Sequence, residues 1–362
     1  MSLRDDLLSR FSTGAEGAPL FLPDLTLWYG THREKDTLPT KWNDSSPLQI
    51  ADQLGVPAWV VARPWEIETS DVEVRETEED GQRLVETVTA AGTLTARWSL
   101  GSDGTWWQME YPVKTAADLN AALELARDRE YVLNTSTLLA VDDTVGDQGI
   151  VAIEIPTRPY ADLLYDMVGM TEGFMILMEN PPAMGEFLAV LEEKLQDFVE
   201  ELAALPAALF YSPDNLDGQF ISPPVFAEHM AASYSRTMEI LHQADKRLIV
   251  HAGGPVGQLL APLVETGVEG VEGVAPPPQS DASLTQAREL SGPDFTLWGG
   301  IPQDFLLSTR SDEEFEAAVF QAVQESKGDG RTILGIADKV PVDADISRLE
   351  AIPQLIEKAL AE

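Results

Sequence analysis

The chain has 362 residues, with 24 Lys and Arg against 61 Asp and Glu and a formal net charge of −37 at pH 7. Such a surface repels phosphate backbones and anionic lipid, which argues against nucleic acid or a membrane surface as partner. There is no Cys, so disulfides, thiolate metal ligands and thiol nucleophiles are excluded.

The hydrophobic content of 44% is that of an ordinary globular protein. The acidic residues are spread along the chain rather than gathered in a tail, which fits either a high-salt habitat or a generically acidic enzyme. The first residues, MSLRDDLLSRFSTG, lack the apolar core of a signal peptide, and no run approaches the length of a membrane span. The expected location is cytoplasmic.

In chain order, residues 2–11 predict a short amphipathic helix and 19–30 read as strand-like. A helix over 47–55 ends at Gly55 and leads into a strand over 58–62. Runs 71–81, 82–92, 93–104 and 105–115 are rich in β-branched and aromatic residues, with Glu-Asp-Gly and Ser-Asp-Gly as turn signals. They predict an antiparallel meander.

From residue 116 the pattern changes to helices alternating with short apolar strands. Helices are predicted over 116–131, 160–169, 181–205, 222–244, 256–266, 284–290, 312–326 and 346–360. Strands are predicted over 137–143, 149–156, 208–211, 247–251, 268–271, 295–301 and 331–338; 173–179 is short enough to be either. This repetition predicts an α/β fold, a TIM-type (β/α)8 barrel. Residues 116–362 would form the barrel and 1–115 an N-terminal extension, its meander serving as extension or lid packed on the barrel in one structural domain.

In such a barrel, polar residues at strand C-termini converge on one mouth. The strand ends here offer Asp214, Asn215 and Asp217, then His251, Glu272, Trp298 and Asp338. A His, a Glu and an Asp so placed can hold a divalent metal and leave a coordination position open. Each also has a plainer reading: His251 as a hydrogen-bonded structural residue, Glu272 as a salt-bridge or substrate-binding carboxylate, Asp338 as a loop cap. His32, His229 and His242 lie in loops or helices and receive no chemistry. A Walker loop, a G-x-G-x-x-G turn and a G-x-S-x-G elbow are all absent from the sequence.

The ordered segments SPDNLDGQFISPPVF, VHAGG, GVEGVEGVAPPP, FTLWGGIP and RTILGIADKVPVDADISRLEAI, with the meander segments GTLTARW and TWWQMEYPVKTAADLNAAL, resemble the uroporphyrinogen decarboxylase superfamily. The likeness runs from roughly the meander to the C-terminus and points to the methyltransferase-like branch. It implies a barrel whose C-terminal mouth holds the active site. Corrinoid-linked members of that branch hold zinc with a His-x-Cys pair and a later Cys in an ILxxGCD-like strand end. Here the His matches His251, the first Cys position is Gly253, and the later one falls on Asp338. Both sulfur ligands are missing, and Glu272 would supply an oxygen instead, which favours a harder site and an oxygen-bearing substrate.

The resemblance therefore implies a metal-dependent methyltransferase, with zinc held by His251, Glu272 and Asp338. It would pass a methyl group from a small methoxylated or methylated substrate to the corrinoid of a partner protein. Asp214, Asn215 and Gln219 would orient the substrate, and Trp28, Tyr211 and Trp298 would wall it. The chain would act alone or as a homodimer. Two other uses of the same mouth stay open, a metal-free decarboxylase and a non-catalytic small-molecule binder. The decarboxylase reading meets an N-terminal stretch with only His32, Arg33 and Lys35 among acidic neighbours, a poor receptor for a many-carboxylate porphyrinogen.

Overall fold

The computed structural model describes residues 2–12, 17–101, 106–136, 138–171, 173–179 and 181–361. The chain divides into two compact units, one made of residues 1–64, 136–155 and 203–362 and the other of 65–135 and 156–202.

The first unit holds eight parallel strands: β1 (Leu20–Phe21), β2 (Ala58–Ala62), β3 (Gly149–Glu154), β4 (Leu209–Ser212), β5 (Arg247–His251), β6 (Gly270–Val274), β7 (Thr296–Pro302) and β8 (Thr332–Ala337). Around the sheet they run β1, β8, β7, β6, β5, β4, β3, β2, so each strand from β2 to β8 lies beside its neighbour in sequence and β1 lies beside β8. That is the strand order of a TIM-type barrel. Among the described residues no strand pairing joins β1 to β2. Strands β4, β6, β7 and β8 are buried along their whole length, which is why they read as near-continuous apolar runs rather than alternating ones.

Inward-facing Trp59, Ile150, Ala152, Leu209, Tyr211, Ile249, Trp298 and Ile333 fill the interior, joined by Leu7 and Phe11 from the N-terminal segment. The helix Leu3–Ser9, closed by a Ser2/Asp5 capping box, lies across the N-terminal strand ends. Arg4 Nε donates to the Gly149 carbonyl (3.1 Å) and Thr296 Oγ1 to the Arg10 carbonyl (2.6 Å). The opposite, C-terminal ends are left for the site. No described helix is long and apolar enough to cross a membrane.

In the second unit the meander forms as read, an antiparallel sheet of Glu73–Glu79, Gln82–Thr89, Gly92–Leu100 and Trp106–Glu110. Asp80 and Gly81 take positive φ (51° and 71°), as a two-residue hairpin turn demands. The Ser-Asp-Gly turn lies outside the described residues. The unit also contains the 22-residue helix Pro182–Ala203 and a buried Arg129–Asp162 ion pair at 3.1 Å.

Several expectations change. Only Leu20–Phe21 of 19–30 is strand, and Thr26–Glu34 is helical. The expected strand 137–143 is instead the helix Leu138–Val145, since a four-residue apolar run followed by acids fits a helical turn equally well. The segment 173–179 is helical over Phe174–Met178, and 222–244 breaks at Met230 into two helices. The boundary at 115/116 does not separate extension from barrel, because β1 and β2 precede it and residues 65–135 belong to the second unit. Those two strands find partners only in β8 and β3, far along the chain.

Candidate metal centre

Strands β5 and β6 are in register at their ends, with His251 opposite Glu272. The parallel pairing that buries Ile249, Val250 and Val271 thus fixes the two polar side chains side by side. A bulge follows Glu272, and Gly273 absorbs it at φ 101°, where a Cβ would lie 2.1 Å from the Ala252 carbonyl oxygen. His251 Nδ1 lies 2.6 Å from Glu272 Oε2. Asp338 follows the last residue of β8, and its Oδ1 lies 3.7 Å from His251 Nε2. One ligand atom from each of the three side chains can be chosen so that all lie within 4.8 Å of one another. The sequence-predicted triad is therefore assembled.

The centre is acidic, buried at His251 and Glu272 and half-buried at Asp338. His251 and Glu272 are 8% and 2% exposed, and Asp338 Oδ1 is buried without a hydrogen bond. Burial raises the Glu272 carboxyl to about 7, His251 opposes that, and the like charges of Asp338 and Asp24 add to it. Burial works against a charged His251, but the carboxylates of Glu272 and Asp338 outweigh it and raise the imidazole pKa. Two carboxylates and an imidazole, two of the three groups buried and one oxygen lacking any donor, make a cluster that a divalent cation would neutralise. The residues fit the metal.

Tyr211 forms the adjoining wall, its ring 6.2 Å from that of His251 and packed edge-on at 6.1 Å against Trp59. Its hydroxyl bonds no protein group among the described residues. Burial, then the charges of Glu272, Asp24, Asp338 and Glu154, push its pKa above the tyrosine range, so it stays an O–H donor. Asp24, Arg63, Glu154 and Lys339 share this mouth and were missed in the sequence reading. Each stands beside a strand end, so the rule that found His251 reaches them too. Asp24 is already bonded by the Thr26 amide (2.8 Å) and hydroxyl (2.6 Å). Glu154 lies 4.0 Å from Arg63; burial raises its pKa while Arg63 and Lys339 hold it back.

The other predicted residues are placed differently. Asp214 is fully buried and accepts from the Ser212 and Tyr234 hydroxyls, both at 2.6 Å, which ties the end of β4 to the helix Ala231–Gln243. Asn215 adopts φ 51°, and its Oδ1 lies 1.7 Å from where a Cβ on Gly253 would stand. Its amide thus occupies the room of a side chain two residues after His251. Gln219 is exposed. Trp298 and Trp28 are each 1% exposed and belong to the core rather than to an open wall. Trp298 Nε1 donates to the Leu22 carbonyl (2.9 Å), and Trp28 packs edge-on against Trp42 at 5.7 Å.

No protein-family model matches the chain, and no curated protein matches it in sequence. Among solved structures, a methyltransferase from Methanosarcina mazei is similar over 99% of this chain and 99% of its own, with a TM-score of 0.59 at 13% identity. A D-psicose 3-epimerase from Clostridium cellulolyticum H10, solved with D-tagatose, is similar over 59% of this chain and 80% of its own, with a TM-score of 0.35 at 10% identity. The first likeness extends a shared fold over nearly the whole length of both chains.

Proposed function

We propose that this chain is a metal-dependent methyltransferase of the uroporphyrinogen decarboxylase superfamily, in its methyltransferase-like branch. It would move a methyl group from a small methoxylated substrate to a corrinoid carried by a partner protein. The observation that carries the reading is the convergence of His251, Glu272 and Asp338 within 4.8 Å at the C-terminal barrel mouth. The full-length likeness in fold to a methyltransferase supports it.

His251, Glu272 and Asp338 would hold the metal, and their one nitrogen and two carboxylates favour a hard or borderline ion such as zinc. Bound there, the ion supplies Lewis acidity toward a substrate oxygen. The chain's own groups do the rest. Tyr211 presents an O–H to that oxygen, which binds the substrate and stabilises negative charge as the methyl group departs. Asn215, wedged over Gly253, fills space beside His251 and keeps bulk water from it.

Metal content of the purified protein tests the proposal. One divalent ion per chain is expected in the wild type and none in His251→Ala; an ion retained by that variant refutes the assignment.

The hydrogen-bonded His251–Glu272 pair favours one other reading. Both groups have raised pKa values, which would suit proton delivery in a metal-free decarboxylation. Activity that survives a chelator would select it.

A further inference from the structure

The three residues of the centre are not held alike. His251 and Glu272 sit opposite each other in the β5–β6 register and bond each other at 2.6 Å. Asp338 lies one residue beyond β8. Its Oδ1 is buried without a hydrogen bond and stands 3.7 Å from His251 Nε2. The flanking main chain therefore has to place it. On its far side the Val340 N–H donates to the Asp24 carbonyl (3.1 Å).

On its near side the tie is a side chain. The last pair of the β7–β8 ladder is Pro302 and Ala337, and Pro302 has no N–H to give. Gln279, half-buried in the loop after β6, closes that end. Its Nε2 donates to the Ala337 carbonyl, and its Oε1 accepts from the Gln303 N–H (2.9 Å). A carboxamide offers a donor and an acceptor as a peptide group does, so Gln279 adds one more rung where the ladder stops. It joins the loop that follows the strand of Glu272 to the residue that precedes Asp338.

We propose that Gln279 is a positioning residue of the metal centre, its two hydrogen bonds holding the end of β8 so that Asp338 faces His251 as the third ligand. The inference rests on the metal reading proposed above. Gln279 acts through Asp338 and is not itself a ligand. Groups that orient metal ligands in this way are commonly worth one to two orders of magnitude in metal affinity.

Zinc affinity of the full chain, by competition with a chromophoric chelator, and the visible spectrum of the cobalt(II)-loaded protein test it. Gln279→Ala should bind zinc about 10- to 100-fold more weakly than the wild type. Gln279→Glu keeps the shape and still accepts from Gln303, but its carboxylate cannot donate to Ala337, so it should lose affinity as well. Cobalt in either variant should absorb more weakly, as water replaces the Asp338 oxygen. In an Asp338→Ala background, adding Gln279→Ala should change zinc affinity by less than about twofold, because residues that act through one another do not add. Wild-type zinc affinity or an unchanged cobalt spectrum in Gln279→Ala overturns the proposal and leaves the metal reading standing, the bridge then being structural only. Additive losses overturn it too, since Gln279 would be acting elsewhere than through Asp338, and so does failure of both Gln279 variants to fold. A wild type that takes up no divalent ion ends the metal reading and this inference with it.

Discussion

Replacing Glu272 with Gln gives a sign that depends on whether metal is present. In the metal-free protein the Glu272 carboxyl ionises near 7 rather than its usual 4.5. A carboxylate whose folded pKa is raised costs stability as pH rises: nothing below 4.5, where it is protonated folded or unfolded, and the full amount above about 7. The gap is worth about 3 kcal/mol at pH 8. Gln has the same shape and can never ionise, so it resembles the protonated acid. Metal-free Glu272→Gln should therefore be more stable than the wild type by up to about 3 kcal/mol at pH 8, with the difference shrinking toward pH 5. Saturating zinc should reverse the order, because the wild type gains a ligand charge that the variant lacks. Urea unfolding at both pH values, with chelator and with zinc, measures all four terms. A metal-free variant less stable than the wild type at pH 8 would refute the electrostatic account of the centre.

The same groups set the pH dependence of metal uptake. His251 is raised above 6.5 and Glu272 to about 7, so below these values zinc must displace protons, and its affinity should be about 10- to 100-fold lower at pH 6 than at pH 8; a flat profile by competition with a chromophoric chelator would count against the ligand set. Gly253→Ala would bring a Cβ within 1.7 Å of Asn215 Oδ1 and should cost about 1–3 kcal/mol, most of it recovered in the double variant with Asn215→Gly; additive losses in denaturant melts would show that the contact is unimportant. Asp162→Ala strands the buried Arg129 guanidinium, 3.1 Å from its partner carboxylate, and should cost about 3–5 kcal/mol, read in the same melts. The net charge of −37 should make the melting temperature rise with salt between 0.1 and 2 M as self-repulsion is screened; a high-salt fold would unfold at the low end, whereas a generically acidic one would shift only slightly.

The triad was legible because parallel strands have a fixed polarity. A polar residue ending an apolar run, as in RLIVH or GVE, must emerge at the strand's C-terminal end, and successive strands bring such ends together. Trp28 and Trp298 misled the same reading, because an aromatic residue near a strand end or on a helix looks alike in sequence whether it faces a mouth or the core. The indole of Trp298 is held by the Leu22 carbonyl, a partner 276 positions away. Asp214 behaved similarly: its partners Ser212 and Tyr234 are close in sequence, but only the return of a helix onto β4 turns it into a buried anchor. The apolar run 138–141 carried no periodic signal long enough to tell strand from helix.

By itself the sequence determined the barrel from β3 onward, the meander, and three polar strand ends that would meet at one mouth, because periodicity and strand polarity are local properties. Only the tertiary structure decided that β1 and β2 complete the sheet, since a two-residue strand has no identity without its partner. It alone set the 2.6 Å between His251 and Glu272, the amide of Asn215 in the space over Gly253, and the bridge of Gln279 from Ala337 to Gln303. All three are relations between residues distant in sequence, fixed by strand register and by the exclusion of water.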